Sequence, residues 1–203
     1  MKKILLLSIL CFIVCSHTQG QTQVINDSVN TELFSEPLLL QHLETLSSDA
    51  FEGRRTGTKG AFKAEKYIVN QFVSNNVSPL IINYTQPFSF KNEGKNYSGV
   101  NILGLIKGTL YPERYIVLSA HYDHEGVENG QIYNGADDNA SGICALFSFI
   151  EYFKINPPNH SIILAAFDAE ELGLQGSKYF VNHSIVPLKE IMINLNMDMV
   201  SRS

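Results

Sequence analysis

The sequence predicts an α/β fold, a three-layer sandwich in which helices cover both faces of a mixed, mostly parallel sheet. Three observations predict it. From Tyr115 onward, short apolar runs alternate with helix-patterned stretches. Residues 115–120 (Tyr-Ile-Val-Leu-Ser-Ala), 161–167 and 191–195 are continuous apolar runs without the in-out alternation of a half-exposed strand, so they read as strands buried on both faces. The chain has 203 residues, 44% hydrophobic and 17% charged, which suffices for one domain with a real core.

The elements follow in order. Residues 1–20 read as a signal peptide. Lys2 and Lys3 form a positive start, and the apolar run 4–15 is too short to span a bilayer, which takes about 20 residues. Cleavage before Gln21 fits the small residues Thr18 and Gly20, with cleavage after Ser16 as the runner-up. A lipid anchor at Cys15 is the alternative, although Phe12-Ile13-Val14 lacks the small residue expected before a lipidated Cys. An exported chain is therefore expected, periplasmic or extracellular, with no membrane span once the signal is removed. Loss of Cys11 and Cys15 leaves Cys144 alone, which rules out an internal disulfide and marks Cys144 as a core residue.

Residues 21–35 are polar and read as a loose N-terminal segment. Glu36-Pro37 opens a helix to about Ser47, with Leu39, Leu40, Leu43 and Leu46 at helical spacing. Residues 52–58 form a glycine-containing loop, and 60–75 an amphipathic helix with Phe62, Ala64, Tyr67, Ile68 and Phe72 near one face. Strands at 80–90 and 100–107 flank the turn-rich stretch 92–96. Helices are expected at 141–154 and 172–181, between the buried strands. The formal charge of −5 gives no basic footprint for nucleic acid, and removal of the signal would make the chain two charges more acidic.

Each buried strand ends in acids or imidazoles. The first runs into His121-Tyr122-Asp123-His124, the second into Asp168-Ala169-Glu170-Glu171, the third into Asn196-Met197-Asp198. Gly135-Ala136-Asp137-Asp138-Asn139-Ala140-Ser141-Gly142 lies between the first two. Ligands of open α/β sheets bind beyond the carboxyl ends of the strands. Any one of these motifs alone reads more simply as a cap or a solvated loop. Together they describe a convergent acidic site, where carboxylates would repel one another unless a cation compensates them. Imidazole with carboxylate and no available Cys suits zinc, with manganese or cobalt as substitutes.

These motifs, Ser119-Ala120-His121-Tyr122-Asp123, the 135–142 loop, Phe167-Asp168-Ala169-Glu170-Glu171-Leu172-Gly173-Leu174-Gln175-Gly176-Ser177 and Asn196-Met197-Asp198-Met199, resemble those of the co-catalytic zinc aminopeptidase family, which also contains glutamate carboxypeptidases and glutaminyl cyclases. Glu52-Gly53-Arg54 resembles the family's N-terminal region. The resemblance implies a phosphorylase/hydrolase-like zinc exopeptidase fold over residues 36–203. It implies a first zinc held by His121, Asp138 and Asp198, and a second held by Asp138 and Glu171. Asp138 would bridge the two ions, Asp123 would orient His121, and Glu170 would be the general base. The implied reaction is removal of N-terminal residues from peptides by an activated water. Alternatives are a glutaminyl-cyclase-type acyl transfer on the same fold and an inactive or binding-only fragment.

The family's remaining ligand of the second zinc is a His downstream of the Asp198 motif, and no His follows His183. The resemblance therefore implies a domain incomplete at its C-terminus, with the second site short of one ligand. Asp137, His124 and Asp168 carry no ligand role in the family pattern, His124 standing at the mouth where it could touch substrate. His42, His160 and His183 read as surface residues. Arg54 and Arg55 read equally as cleft-border or solvated loop charges.

Overall fold

A computed structural model describes residues 34–202; residues 1–20, read above as a signal peptide and including Cys11 and Cys15, and residues 21–33 lie outside the described residues. The first helix, α1 (Glu36–Leu46), is capped by Ser35, whose hydroxyl accepts from the Leu38 N–H, and has Pro37 in its first turn. Helix α2 (Lys59–Ser74) is capped in the same way by Thr58. Ala61, Ala64, Ile68 and Phe72 form its buried face. The sequence placed Phe62 near that face; instead it points outward beneath the Lys66 ammonium, because it lies about 100° around the helix from Ala61.

The strands are β1 (Ser78–Pro79), β2 (Thr85–Asn92), β3 (Lys95–Ile106), β4 (Tyr111–His121), β5 (Gly126–Glu128), β6 (Gln131–Tyr133), β7 (His160–Phe167) and β8 (Ile191–Asn196). Helices α3 (Gly142–Ile155) and α4 (Gln175–Asn182) follow β6 and β7. The main sheet has the order β1-β3-β7-β4-β8, with β2 paired to β3, and β5 and β6 form a separate ribbon. The sheet is mixed as predicted, but only the strip β7-β4-β8 is parallel. The antiparallel share is larger than expected because β2 and β3 are one hairpin. Glu93 and Gly94 both adopt the left-handed conformation of a two-residue turn, so the strands extend further toward each other than their apolar cores suggested.

The central strands bury alternate residues on opposite faces. Ile162, Leu164 and Ala166 of β7 pack with Leu118 and Ala120 of β4 against α1, α2 and α3. Ile163, Ala165 and Phe167 face the other way, toward Phe180 of α4. The expectation of burial on both faces therefore holds for β4 and β7. It fails for β8, where Met192, Ile193 and Leu195 are about half exposed (51%, 50% and 47%). This strand stands at the sheet edge, and no helix among the described residues covers it.

His42 is also corrected: it is buried, not a surface residue. Its ring packs edge-on against Phe147, its Nδ1 lies 2.7 Å from the Tyr67 hydroxyl, and burial lowers its pKa. Cys144 sits in the same core, fully buried and unpaired, with its thiol pushed up to about 12 by burial. We therefore expect Cys144 not to react with a disulfide-exchange reagent in the native protein, and to titrate only on unfolding, followed by absorbance of the released thiol in a Cys11→Ser, Cys15→Ser background.

Candidate metal centre

Because β7, β4 and β8 are parallel neighbours, their carboxyl ends open at one edge of the sheet. His121 is the last residue of β4 and lies opposite Phe167, so the segment 168–171 leaves β7 beside it. Ser119 lies opposite Asn196, which brings Asp198 to the same edge. The loop before α3 supplies Asp138. It begins at Gly135 (φ 55°), where a Cβ would lie 2.2 Å from the Asp138 carbonyl oxygen, so only glycine fits.

The side chains form two groups. In the first, His121 Nε2 lies 3.2 Å from Asp138 Oδ1 and 3.5 Å from Asp198 Oδ1. In the second, His124 Nδ1 lies 2.8 Å from Glu171 Oε1 and 3.9 Å from Asp138 Oδ2. Asp138 belongs to both and turns one oxygen toward each imidazole. Asp137 faces elsewhere: its Oδ1 accepts from the Ser201 N–H at 3.2 Å, and its Oδ2 lies 3.7 Å from the Arg202 Nε.

Asp123 is buried behind His121, 3.6 Å from Nδ1 through Oδ1, and its carbonyl oxygen is 3.2 Å from the same nitrogen. Its carboxylate also accepts the backbone N–H groups of Glu170 (3.0 Å) and Glu171 (3.2 Å). One carboxylate thus fixes the imidazole and the turn carrying both glutamates. That turn is not a regular helix: Ala169 has φ 58°, and α4 begins only at Gln175. The two adjacent carboxylates can therefore diverge. Glu171 meets His124, while Glu170 lines a cleft of about 160 Å³ with His121, Asp198, Phe167 and Leu174.

The electrostatics follow this split. Burial raises the Glu170 pKa, and the charges of Asp123, Glu171 and Asp198 add to it. The His124 hydrogen bond lowers that of Glu171 against the effect of burial. Burial, with Glu171 and Asp198, raises Asp138. Burial pulls His121 down, but Asp123, Glu170 and Asp138 outweigh it and raise the imidazole to about 9.

These donors fit a divalent cation. A single nitrogen, His121 Nε2, faces two carboxylate oxygens, yet it can carry only one proton and cannot donate well to both. Ligand atoms about 2.0–2.2 Å from a tetrahedral zinc lie roughly 3.3–3.6 Å from each other, matching these separations. Nitrogen and carboxylate donors without sulfur suit zinc.

Sheet, loops and paired groups together define a class, the α/β metallopeptidases. The chain belongs to peptidase family M28, whose model matches residues 101–203. It is 36% identical over 111 residues to the Bacillus subtilis aminopeptidase YwaD, covering 53% of this chain and 23% of that protein. It is 32% identical over 126 residues to a probable glutamate carboxypeptidase, VP8, of Zea mays, covering 59% of this chain and 16% of the relative. The matched region thus spans less than a quarter of either relative. Among solved structures, a zinc aminopeptidase from Bacillus subtilis superposes with a TM-score of 0.69 at 17% identity, over 82% of this chain and 70% of that one. Porphyromonas gingivalis glutaminyl cyclase gives 0.71 at 20% identity, over 83% and 62%. These last two show the fold.

Asn139 and Thr56 shape the site and were not singled out by the sequence, and Asp168 and Arg54 have roles it did not give them. Asn139 donates to the Met197 carbonyl (3.0 Å) and accepts from the Gly142 N–H (2.9 Å) and the Met199 N–H (3.3 Å), tying the Asp138 loop to the Asp198 loop. Thr56 donates to Asp168 (2.8 Å), which also accepts the Val100 (2.9 Å) and Ala169 (2.7 Å) N–H groups. Asp168 is a buried latch, its pKa raised to about 6 by burial. Arg54 neither borders the cleft nor meets solvent. It is 1% exposed and donates to four backbone carbonyls. The one available signal was its place in Glu52-Gly53-Arg54, a tight turn that would carry a charge inward; Gly53 has φ 63°.

Proposed function

We propose that this chain carries the catalytic centre of an exported zinc-dependent aminopeptidase. The observation that carries the reading is Asp138, placed between two imidazole–carboxylate groups with one oxygen toward each, beside a glutamate free to face the cleft. His121, Asp138 and Asp198 would hold one zinc, and Asp138 and Glu171 a second. Zinc bound there supplies a Lewis acid that acidifies water and polarises a peptide carbonyl. Asp123 holds His121 and the glutamate turn in place. Glu170 takes a proton from the attacking water and passes it to the leaving amine as the peptide C–N bond breaks. Its raised pKa suits both halves of that task.

Identity above 30% to an aminopeptidase and to a probable glutamate carboxypeptidase supports peptide hydrolysis over acyl transfer, whereas the glutaminyl cyclase structure is 20% identical. The substrate is a peptide. A formal charge of −5 gives no basic footprint for nucleic acid, and no helix among the described residues is long and apolar enough to cross a membrane. Export rests on Lys2, Lys3 and the apolar run after them. The expected result is release of arylamine from aminoacyl-arylamides, lost on treatment with a zinc chelator and restored by zinc. Zinc bound without turnover on any aminoacyl-arylamide or peptide would favour the binding-only alternative instead.

A further inference from the structure

Thr56 lies outside residues 101–203, which the family model matches, yet it reaches the middle of the site. It is buried, and its hydroxyl stands between two buried carboxylates, 2.8 Å from Asp168 Oδ1 and 3.4 Å from Asp123 Oδ2. Those two acids hold the turn that carries Glu170 and Glu171. Asp168 accepts the Ala169 N–H at 2.7 Å, and Asp123 accepts the Glu170 and Glu171 N–H groups at 3.0 and 3.2 Å. Three consecutive N–H groups, beginning at the left-handed Ala169, thus end on two carboxylates that one hydroxyl joins. A hydroxyl carries a single proton, and the shorter contact takes it, so Thr56 donates to Asp168 and stands as a neutral spacer against Asp123. Without the hydroxyl, two anions would face each other in an interior that screens them poorly. Burial, and then the Asp123 charge, push Asp168 up to about 6; the Thr56 hydroxyl is one of the donors that oppose them, with the Val100 and Ala169 N–H groups.

We propose that Thr56 is a positioning residue for Glu170: acting through Asp168 and Asp123, its hydroxyl sets how the 169–171 turn presents the general base to the cleft. The proposal rests on the zinc-peptidase reading above. Thr56 touches neither the cleft nor a metal-ligating atom, so its effect on turnover passes through the two acids alone. A general base displaced by about 1 Å can cost about a hundredfold in rate, which makes a buried hydroxyl behind the turn matter to the chemistry.

The test compares wild type with Thr56→Val, which keeps the branched shape and loses the hydroxyl, and Thr56→Ser, which keeps the hydroxyl. In aminoacyl-arylamide hydrolysis, Thr56→Val is expected to lose about 10–100-fold in kcat with KM and zinc content within about twofold of wild type, and Thr56→Ser to recover most of the loss. Amide hydrogen exchange, read on the same proteins, needs no activity. The Ala169, Glu170 and Glu171 amides should exchange at least about tenfold faster in Thr56→Val, while those of β7 stay unchanged and report that the variant is folded. Wild-type exchange rates at all three amides would overturn the proposal. So would a Thr56→Val kcat within about threefold of wild type, or a Thr56→Ser no better than Thr56→Val. A wild type that hydrolyses no arylamide or peptide would overturn the peptidase reading instead, and the exchange rates would still decide whether Thr56 holds the turn. If Thr56→Val does not fold, Asp168→Asn carries the same expectation at the same three amides, and unchanged rates there overturn the proposal.

Discussion

Replacing Arg54 with Ala is expected to destabilise the protein by about 3–5 kcal/mol, read as a lower denaturation midpoint. Arg54 donates to the carbonyls of Leu46 (2.6 Å), Tyr122 (2.8 Å), Asn134 (2.7 Å) and Gly135 (2.8 Å). Burial lowers its pKa to about 10, opposed by Asp123 among others, so it remains charged at neutral pH. Truncation would strand four acceptors, those of Leu46 and Tyr122 buried and those of Asn134 and Gly135 partly so, each costing about 1–3 kcal/mol where it is left unpaired, less whatever water recovers. Total stabilities run to only about 5–15 kcal/mol, so the loss is a large fraction. Two of the four carbonyls belong to the site. Tyr122 stands between His121 and Asp123, and Gly135 opens the Asp138 loop, so weaker zinc binding should accompany the lower midpoint. Arg54→Lys should rescue little, because one ammonium cannot span four carbonyls on three separate segments. A change below about 1 kcal/mol in Arg54→Ala would show that the clamp is not stabilising.

Arg54 also marks where the sequence stops being informative. Its partners come from residues 46, 122, 134 and 135, and no local pattern reports that they converge. His42 was hidden for the same reason: only the packing of α1 against Tyr67 and Phe147 makes it a core residue. The strand ends were legible because a strand buried on both faces is a continuous apolar run, and a polar cluster directly after it must sit at the sheet edge. His121, Glu171 and Asp198 were found that way and, with Asp138, through the family motifs; the structure gathers His121, Asp138 and Asp198 in one group and Asp138 and Glu171, with His124, in another. The same logic misread β8. An apolar run shows that both faces are apolar, not that something covers them; the structure leaves Met192, Ile193 and Leu195 half exposed. His124 was visible as a residue at the mouth, but its pairing with Glu171 at 2.8 Å, 47 residues away in sequence, was not.

The Glu170→Gln variant is expected to lose about a thousandfold in kcat with its zinc content and KM little changed. The expectation follows from how the chain separates two neighbouring carboxylates. On a regular helix, Glu170 and Glu171 would point about 100° apart by geometry alone. Here Ala169 with φ 58° breaks regularity, and Asp123 pins both glutamate N–H groups, so the side chains are directed independently of a helix. Their pKa values are pushed in opposite directions: Glu171 down by the His124 hydrogen bond, Glu170 up by burial. Two carboxylates tuned apart in one site are suited to different tasks, one holding a cation and the other moving a proton. Glutamine keeps the shape of Glu170 but cannot take up a proton, so binding should survive while turnover falls. Glu171→Gln should show the converse, with zinc affinity falling first and activity following it. If Glu170→Gln kept more than about a tenth of wild-type kcat, or if it lost its zinc as Glu171→Gln does, the division of labour between the two residues would be wrong.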